Sequence, residues 1–196
     1  MLDFLIFGWY NGSYLGCIAQ LVRALRSHRR GPWFEPRCTH QKYMEIKELK
    51  NLAKDIVSQA DQLRSKYVNM PAPVNYACVF CQNNEEYDSL IETAGEMGRV
   101  VKETESGLLF QIEPLATIAG DLQLLKIRKA DPTRPERGDA DFTLADYQKF
   151  KEEHLGLKGF RLIDKGEFEM IELVNPDFNV RVYFSHPPLD RQLGIN

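Results

Sequence analysis

Between residues 74 and 184 the sequence spells one order of periodic segments twice, and few folds accept that order. Val74–Cys81 (VNYACVFC) is short and rich in β-formers, which predicts a strand. Asn83-Asn84 offers a helix cap, with Glu85 and Glu86 where the helix dipole favours acids. Tyr87, Leu90, Ile91 and Ala94 then form a helical stripe that ends at Gly95–Gly98. Strands are predicted over Arg99–Thr104, Leu108–Ile112 and Leu122–Arg128, with Ser106-Gly107 turning the first into the second. After the charged, proline-bearing loop KADPTRPERGD the pattern restarts. Asp141–Leu144 reads as a strand and Asp146–His154 as a helix with Tyr147 and Phe150 inward. Phe160–Ile163, Phe168–Leu173 and Val180–Phe184 read as three further strands. The order is βαβββ, loop, βαβββ, an α+β domain whose two modules can join their sheets into one curved, half-open barrel. Element order repeats; residue identities do not. An added helix precedes both modules: Ile46, Leu49, Leu52, Ala53, Ile56, Val57, Ala60 and Leu63 mark it within Met44–Tyr67, and Pro71 and Pro73 end it.

Charge separates the first 43 residues from the rest. They carry six basic and two acidic side chains, whereas residues 44–196 carry 19 and 26. One permitted coding of CIAQLVRA from Cys17 resembles the D-arm region of a transfer-RNA gene, and one of WFEP from Trp33 resembles its TΨC arm. Cys17 to His40 is 24 codons, or 72 nucleotides, close to the length of such a gene. Residues 1–43 are therefore expected to be upstream translation from a misplaced start, leaving 44–196 as the single domain. The rival reading is a basic amphipathic helix at LVRALRSHRR, broken at Gly31-Pro32. The chain holds no apolar run of 18 residues, so no membrane-spanning helix is expected. Its net charge of −3 argues against a nucleic-acid partner, and four scattered cysteines make no disulfide framework. A cytoplasmic protein is expected.

Three segments carry a family resemblance. They are NYACVFCQN from Asn75, Glu113-Pro114 followed by LQLLKIRK and the short strand DADFTL, and NPDFNVRVYFSHP from Asn175. In this order they resemble the vicinal-oxygen-chelate fold of glyoxalase and bleomycin-resistance proteins, and within it the YecM-like proteins. The resemblance implies a divalent metal held by His, Gln and Glu side chains from both modules. Carried over, the first-strand His position falls on Asn75 and the second-module His position near Asp141. The last-strand Glu position falls near Val182, and the first-module carboxylate region near Lys126 and Arg128. One carboxylate and one amide beside two cations make a poor transition-metal site. A degraded metal site and no cofactor are the expectation, with an oxygen-ligated magnesium-type site on Asp141 as the alternative.

Cations in the cup would suit an anion; the plainer reading is a set of solvent-facing charges on an edge strand. Lys126 and Arg128 share a strand face, Arg134 and Arg137 lie in the adjoining loop, and Arg181 alternates with Tyr183. The ligand-binding candidates are Asn75, Lys126, Arg128, Asp141, Arg181 and His186, the last carried by the resemblance. Cys78 and Cys81 read as buried structural cysteines, and Glu167, Glu169 and Glu172 as a solvated strand face. The leading expectation is a small-molecule-binding protein whose ligand is an anionic metabolite. The alternatives are a metal-assisted lyase, isomerase or oxygenase of the same fold, and a structural domain that pairs with a second copy.

Overall fold

The computed structural model describes residues 44–195, and both readings of residues 1–43 lie outside the described residues. The chain enters at Met44, whose N–H donates to Ser89 Oγ at 2.8 Å and whose carbonyl accepts from Thr93 Oγ1 at 2.7 Å. Helix α1 (Ile46–Ser65) starts in a reciprocal Glu45/Glu48 capping box and buries Leu49, Ala53, Ile56, Val57, Ala60 and Leu63. Strand β1 (Val74–Phe80) leads to helix α2 (Asn84–Met97), capped by Asn83, which accepts from the Glu86 N–H. Strands β2 (Gly98–Thr104), β3 (Gly107–Thr117) and β4 (Gly120–Arg128) complete the first module. The second module repeats it with β5 (Gly138–Phe142), α3 (Tyr147–His154), β6 (Phe160–Asp164), β7 (Glu169–Leu173) and β8 (Val180–His186). A short helix α4 (Leu189–Gln192) follows.

The eight strands form one open sheet in the order β2-β3-β4-β1-β5-β8-β7-β6. In each module the first strand pairs parallel with the last, β1 with β4 and β5 with β8. The two first strands meet antiparallel at the centre. Each half therefore repeats the other in connectivity about the β1–β5 seam, the doubled, half-open arrangement expected from the sequence. The sequence places β5 three residues too late. GDADF lacks β-branched residues, but β5 pairs on both edges, and tertiary pairing overrides weak propensity. Strand β3 runs on through Glu113-Pro114 because the register shifts between Gln111 and Leu115, an irregularity that tolerates a proline.

Strand alternation divides the sheet into two unlike faces. Ala77, Val79, Leu125, Ile127, Ala140, Phe142, Val180, Val182 and Phe184 join the buried cluster that includes the inward stripes of α1 and α2. Phe150 of α3 closes on Phe184 with ring centroids 4.6 Å apart. The intervening residues point to the other face. Gly138 shows how closely α1 packs on the seam: a Cβ there would lie 2.3 Å from the Cys78 carbonyl oxygen and 2.7 Å from Ile56 Cδ1. Gly138→Ala is expected to cost about 2–3 kcal/mol in urea unfolding, the scale of an overpacked core. A loss below about 0.5 kcal/mol would show that α1 can shift freely from the seam.

Candidate functional site

The open face brings polar side chains from five strands around a cavity of about 240 Å³. Register explains the grouping. Lys126 of β4, Cys78 of β1, Asp139 of β5 and Arg181 of β8 form one cross-strand row. Tyr76, Asp141 and Tyr183 form the next. The cavity wall includes Tyr76, Lys126, Arg128, Arg134, Asp139, Asp141, Tyr183 and Ser185, with Lys102 on β2, and Leu189 and Gln192 of α4 close one rim.

The two carboxyl groups of β5 are buried at 6% and 5% exposure, yet their surroundings differ. Asp141 accepts the Ser185 N–H at 3.0 Å and a second, short bond from Ser185 Oγ. Asp139 has an oxygen with no hydrogen-bond partner among the described residues. Burial, reinforced by the charge of Asp141, pushes Asp139 up to about 7. Burial also raises Asp141, to about 6, against the opposing pull of its Ser185 bonds. Lys126 donates to Ser106 Oγ at 2.8 Å, and burial lowers its pKa below the ordinary lysine value. Arg128 pairs with Asp131 at 3.1 Å and lies over the Phe80 ring, but its Nε is buried without a partner.

Of the residues singled out from the sequence, Lys126, Arg128 and Asp141 stand together on this wall. Arg134 joins them and donates to the Tyr183 hydroxyl at 3.3 Å. Asn75 does not line the cavity: its Oδ1 accepts the Asp190 N–H at 3.3 Å, so it anchors the α4 rim instead. His186 stacks on Tyr147, centroids 4.9 Å apart, in a separate depression with Pro71, Pro73 and Arg191. Arg181 is engaged within the protein, donating from Nε to Glu136 at 2.9 Å and from Nη1 to Glu172 at 2.8 Å. Arg137 is likewise committed, to Glu86 at 2.5 Å.

Glu172 corrects the expectation of a solvated glutamate face. It is 2% exposed and accepts from Arg161 at 2.6 Å, Arg181 at 2.8 Å and the Tyr183 hydroxyl at 2.7 Å. Glu169 is paired with Lys151 at 2.7 Å. Cys78 and Cys81 are both free and buried, and burial raises both thiols, Cys81 to about 12. Neither is poised as a thiolate.

The residue that sequence reasoning missed is Asp139. The loop expected over KADPTRPERGD ends on it, although Asp139-Ala140-Asp141-Phe142 alternates acids with apolar residues. That alternation puts both acids on one strand face, a usable signal.

The donor set does not fit the metal that the fold resemblance implies. Val182, at the last-strand carboxylate position, is 0% exposed and belongs to the helix-side core. Both Asp141 oxygens are bonded to Ser185, and Lys126, Arg128 and Arg134 share the wall with the two acids. Among the described residues no three His, Cys, Asp or Glu side chains converge as metal ligands. No helix among them is long and apolar enough to cross a membrane.

No family model matches the chain, and no curated protein matches it. The chain is similar in fold to a solved structure titled "Structural Genomics, Protein EC4020". That likeness has a TM-score of 0.59 at 12% identity over 84% of this chain and 98% of that one. It also aligns with a glyoxalase/bleomycin resistance protein/dioxygenase superfamily member from Vibrio splendidus 12B01. There the TM-score is 0.35 at 10% identity over 58% of this chain and 97% of that one, too slight a likeness to carry an argument.

Proposed function

We propose that the open-face cavity binds a small anionic molecule without the help of a metal ion. One observation carries this reading: a buried donor, Arg128 Nε, and a buried acceptor, an Asp139 oxygen, stand unpartnered on residues of the same cavity wall. Each unpaired buried polar group costs about 1–3 kcal/mol, a cost that a bound partner would relieve. Lys126, Arg128 and Arg134 outnumber the two acids, and protonation of Asp139 leaves the wall in cationic excess. An anion would also supply the countercharge that burial withholds from Lys126. At about 240 Å³ the space suits a small organic acid or phosphate compound rather than a polymer. The three sequence segments quoted above are the ground for grouping the chain with YecM-like proteins.

Millimolar phosphate, malate and citrate, screened by thermal unfolding, test the proposal. An anion at 100 times its Kd contributes about 2.7 kcal/mol, or roughly 5–10 °C for a domain of this size. The shift should survive a chelator and be lost in the Lys126→Ala, Arg128→Ala double variant. No shift with any of the three anions, or one that the double variant retains in full, would overturn it.

A further inference from the structure

Resting on that reading, we infer that the ligand is a small hydroxy or oxo acid. Its anionic group faces Lys126 and Arg128, while a second oxygen accepts a hydrogen bond from the neutral carboxylic acid of Asp139. Binding therefore takes up a proton.

Lys126 and Asp139 lie in one row with Cys78 between them, two strand spacings or about 10 Å apart at Cα. Both side chains belong to the cavity wall, Lys126 held to Ser106 Oγ at 2.8 Å, and a skeleton of a few carbons matches the spacing between the two strands. Asp139 is 6% exposed and has an oxygen with no partner, so it points to a missing ligand group.

The neighbouring acid decides which form Asp139 takes. Asp141, two residues along the same face, holds both donors of Ser185, which stabilise a carboxylate. The negative charge belongs on Asp141 and the neutral form on Asp139, where no hydrogen bond stabilises an anion. The other titratable groups facing Asp139 are Tyr76 and Cys78 from β1, Lys126 and Arg128 from β4, Arg134 from the loop and Tyr183 from β8. Burial keeps Tyr76, Cys78 and Tyr183 neutral, and Arg181 beside Asp139 on β8 is taken by Glu136 and Glu172. The three cations pull toward the carboxylate, but burial and Asp141 outweigh them. A protonated carboxyl donates to a hydroxyl, ketone or carboxylate oxygen. An amino group in the same place would instead require the carboxylate.

The test compares malate with aspartate, which share a skeleton and differ in hydroxyl against ammonium. Calorimetric titration of the full chain at pH 6 and pH 8 should show malate weakening about tenfold, as Asp139 loses its proton across that window. At pH 7.5 the heat should vary with buffer ionisation enthalpy, reporting uptake of most of one proton. Aspartate should bind more weakly than malate at pH 6. In Asp139→Asn, whose amide still donates, malate binding should become flat with pH and at pH 8 exceed that of the wild type. Failure of malate to bind at pH 6, affinity that is constant or rises with pH, or a preference for aspartate would overturn the inference. So would Asp139→Asn losing malate at both pH values. Phosphate stabilisation that depends on Lys126 and Arg128 would leave the broader anion reading standing through any of these results.

Discussion

Asp139→Asn is expected to raise the unfolding midpoint of the ligand-free protein at pH 8 by roughly 8–16 °C, equivalent to about 4 kcal/mol. The native carboxyl is buried and lifted to about 7, whereas in the unfolded chain it titrates near its ordinary value, about 3.9. Its folded pKa is raised, so its favourable contribution is complete below the unfolded pKa and is lost as pH rises through about 7. Above that pH the fold must hold an anion in a site that disfavours it. Asparagine keeps the shape and polarity of the neutral acid and cannot ionise. The gain should therefore shrink toward zero at pH 4, where the wild-type carboxyl is neutral in the folded state. Thermal melts at both pH values check this; an equal gain at pH 4 and pH 8, or none at pH 8, would show that burial does not govern Asp139.

The second large effect has the opposite sign. Arg181→Ala is expected to destabilise the fold by about 3–5 kcal/mol in urea unfolding at pH 7, the scale for removing one partner of a buried ion pair. Arg181 is 16% exposed at its side chain and bridges Glu136 to the nearly buried Glu172. Burial alone would push Glu172 up, but bonds from the Tyr183 hydroxyl and Arg181 outweigh it and hold the carboxyl below its ordinary range. That depressed pKa supplies stability above the unfolded value, which fades as pH falls through the lower folded one. Without Arg181, Glu172 keeps Tyr183 and the largely exposed Arg161, and most of this contribution goes. The deficit should accordingly narrow in acid. A loss under about 1 kcal/mol at pH 7 would class the bridge with exposed ion pairs.

How far the sequence could be read depended on whether a feature was local. The α1 stripe, the Asn83 cap and the doubled βαβββ order follow from spacing and turn residues, and all appear in the structure. The position of β5 does not, because GDADF becomes a strand only when β1 and β8 flank it. That one displacement hid Asp139. The face of each strand was equally illegible: a single-residue register change exchanges Asn75 for Tyr76 and Val182 for Tyr183 at the cavity. Lys126 and Arg128 could be grouped because they share a phase two residues apart, whereas Asp141 entered through the family resemblance alone. Glu172 was misread because its burial depends on Arg161, Arg181 and Tyr183, which the fold collects from two neighbouring strands.

A small anion bound on the open face between the two modules would be located residue by residue by amide nuclear magnetic resonance. Titrating the protein with malate at pH 6 should move the signals of residues 76–80, 126–128 and 138–141 together with Tyr183 and Ser185, with α1 left unmoved. No movement on those strands with malate, phosphate or citrate, or movement confined to Tyr147, His186 and their separate depression, would contradict binding there.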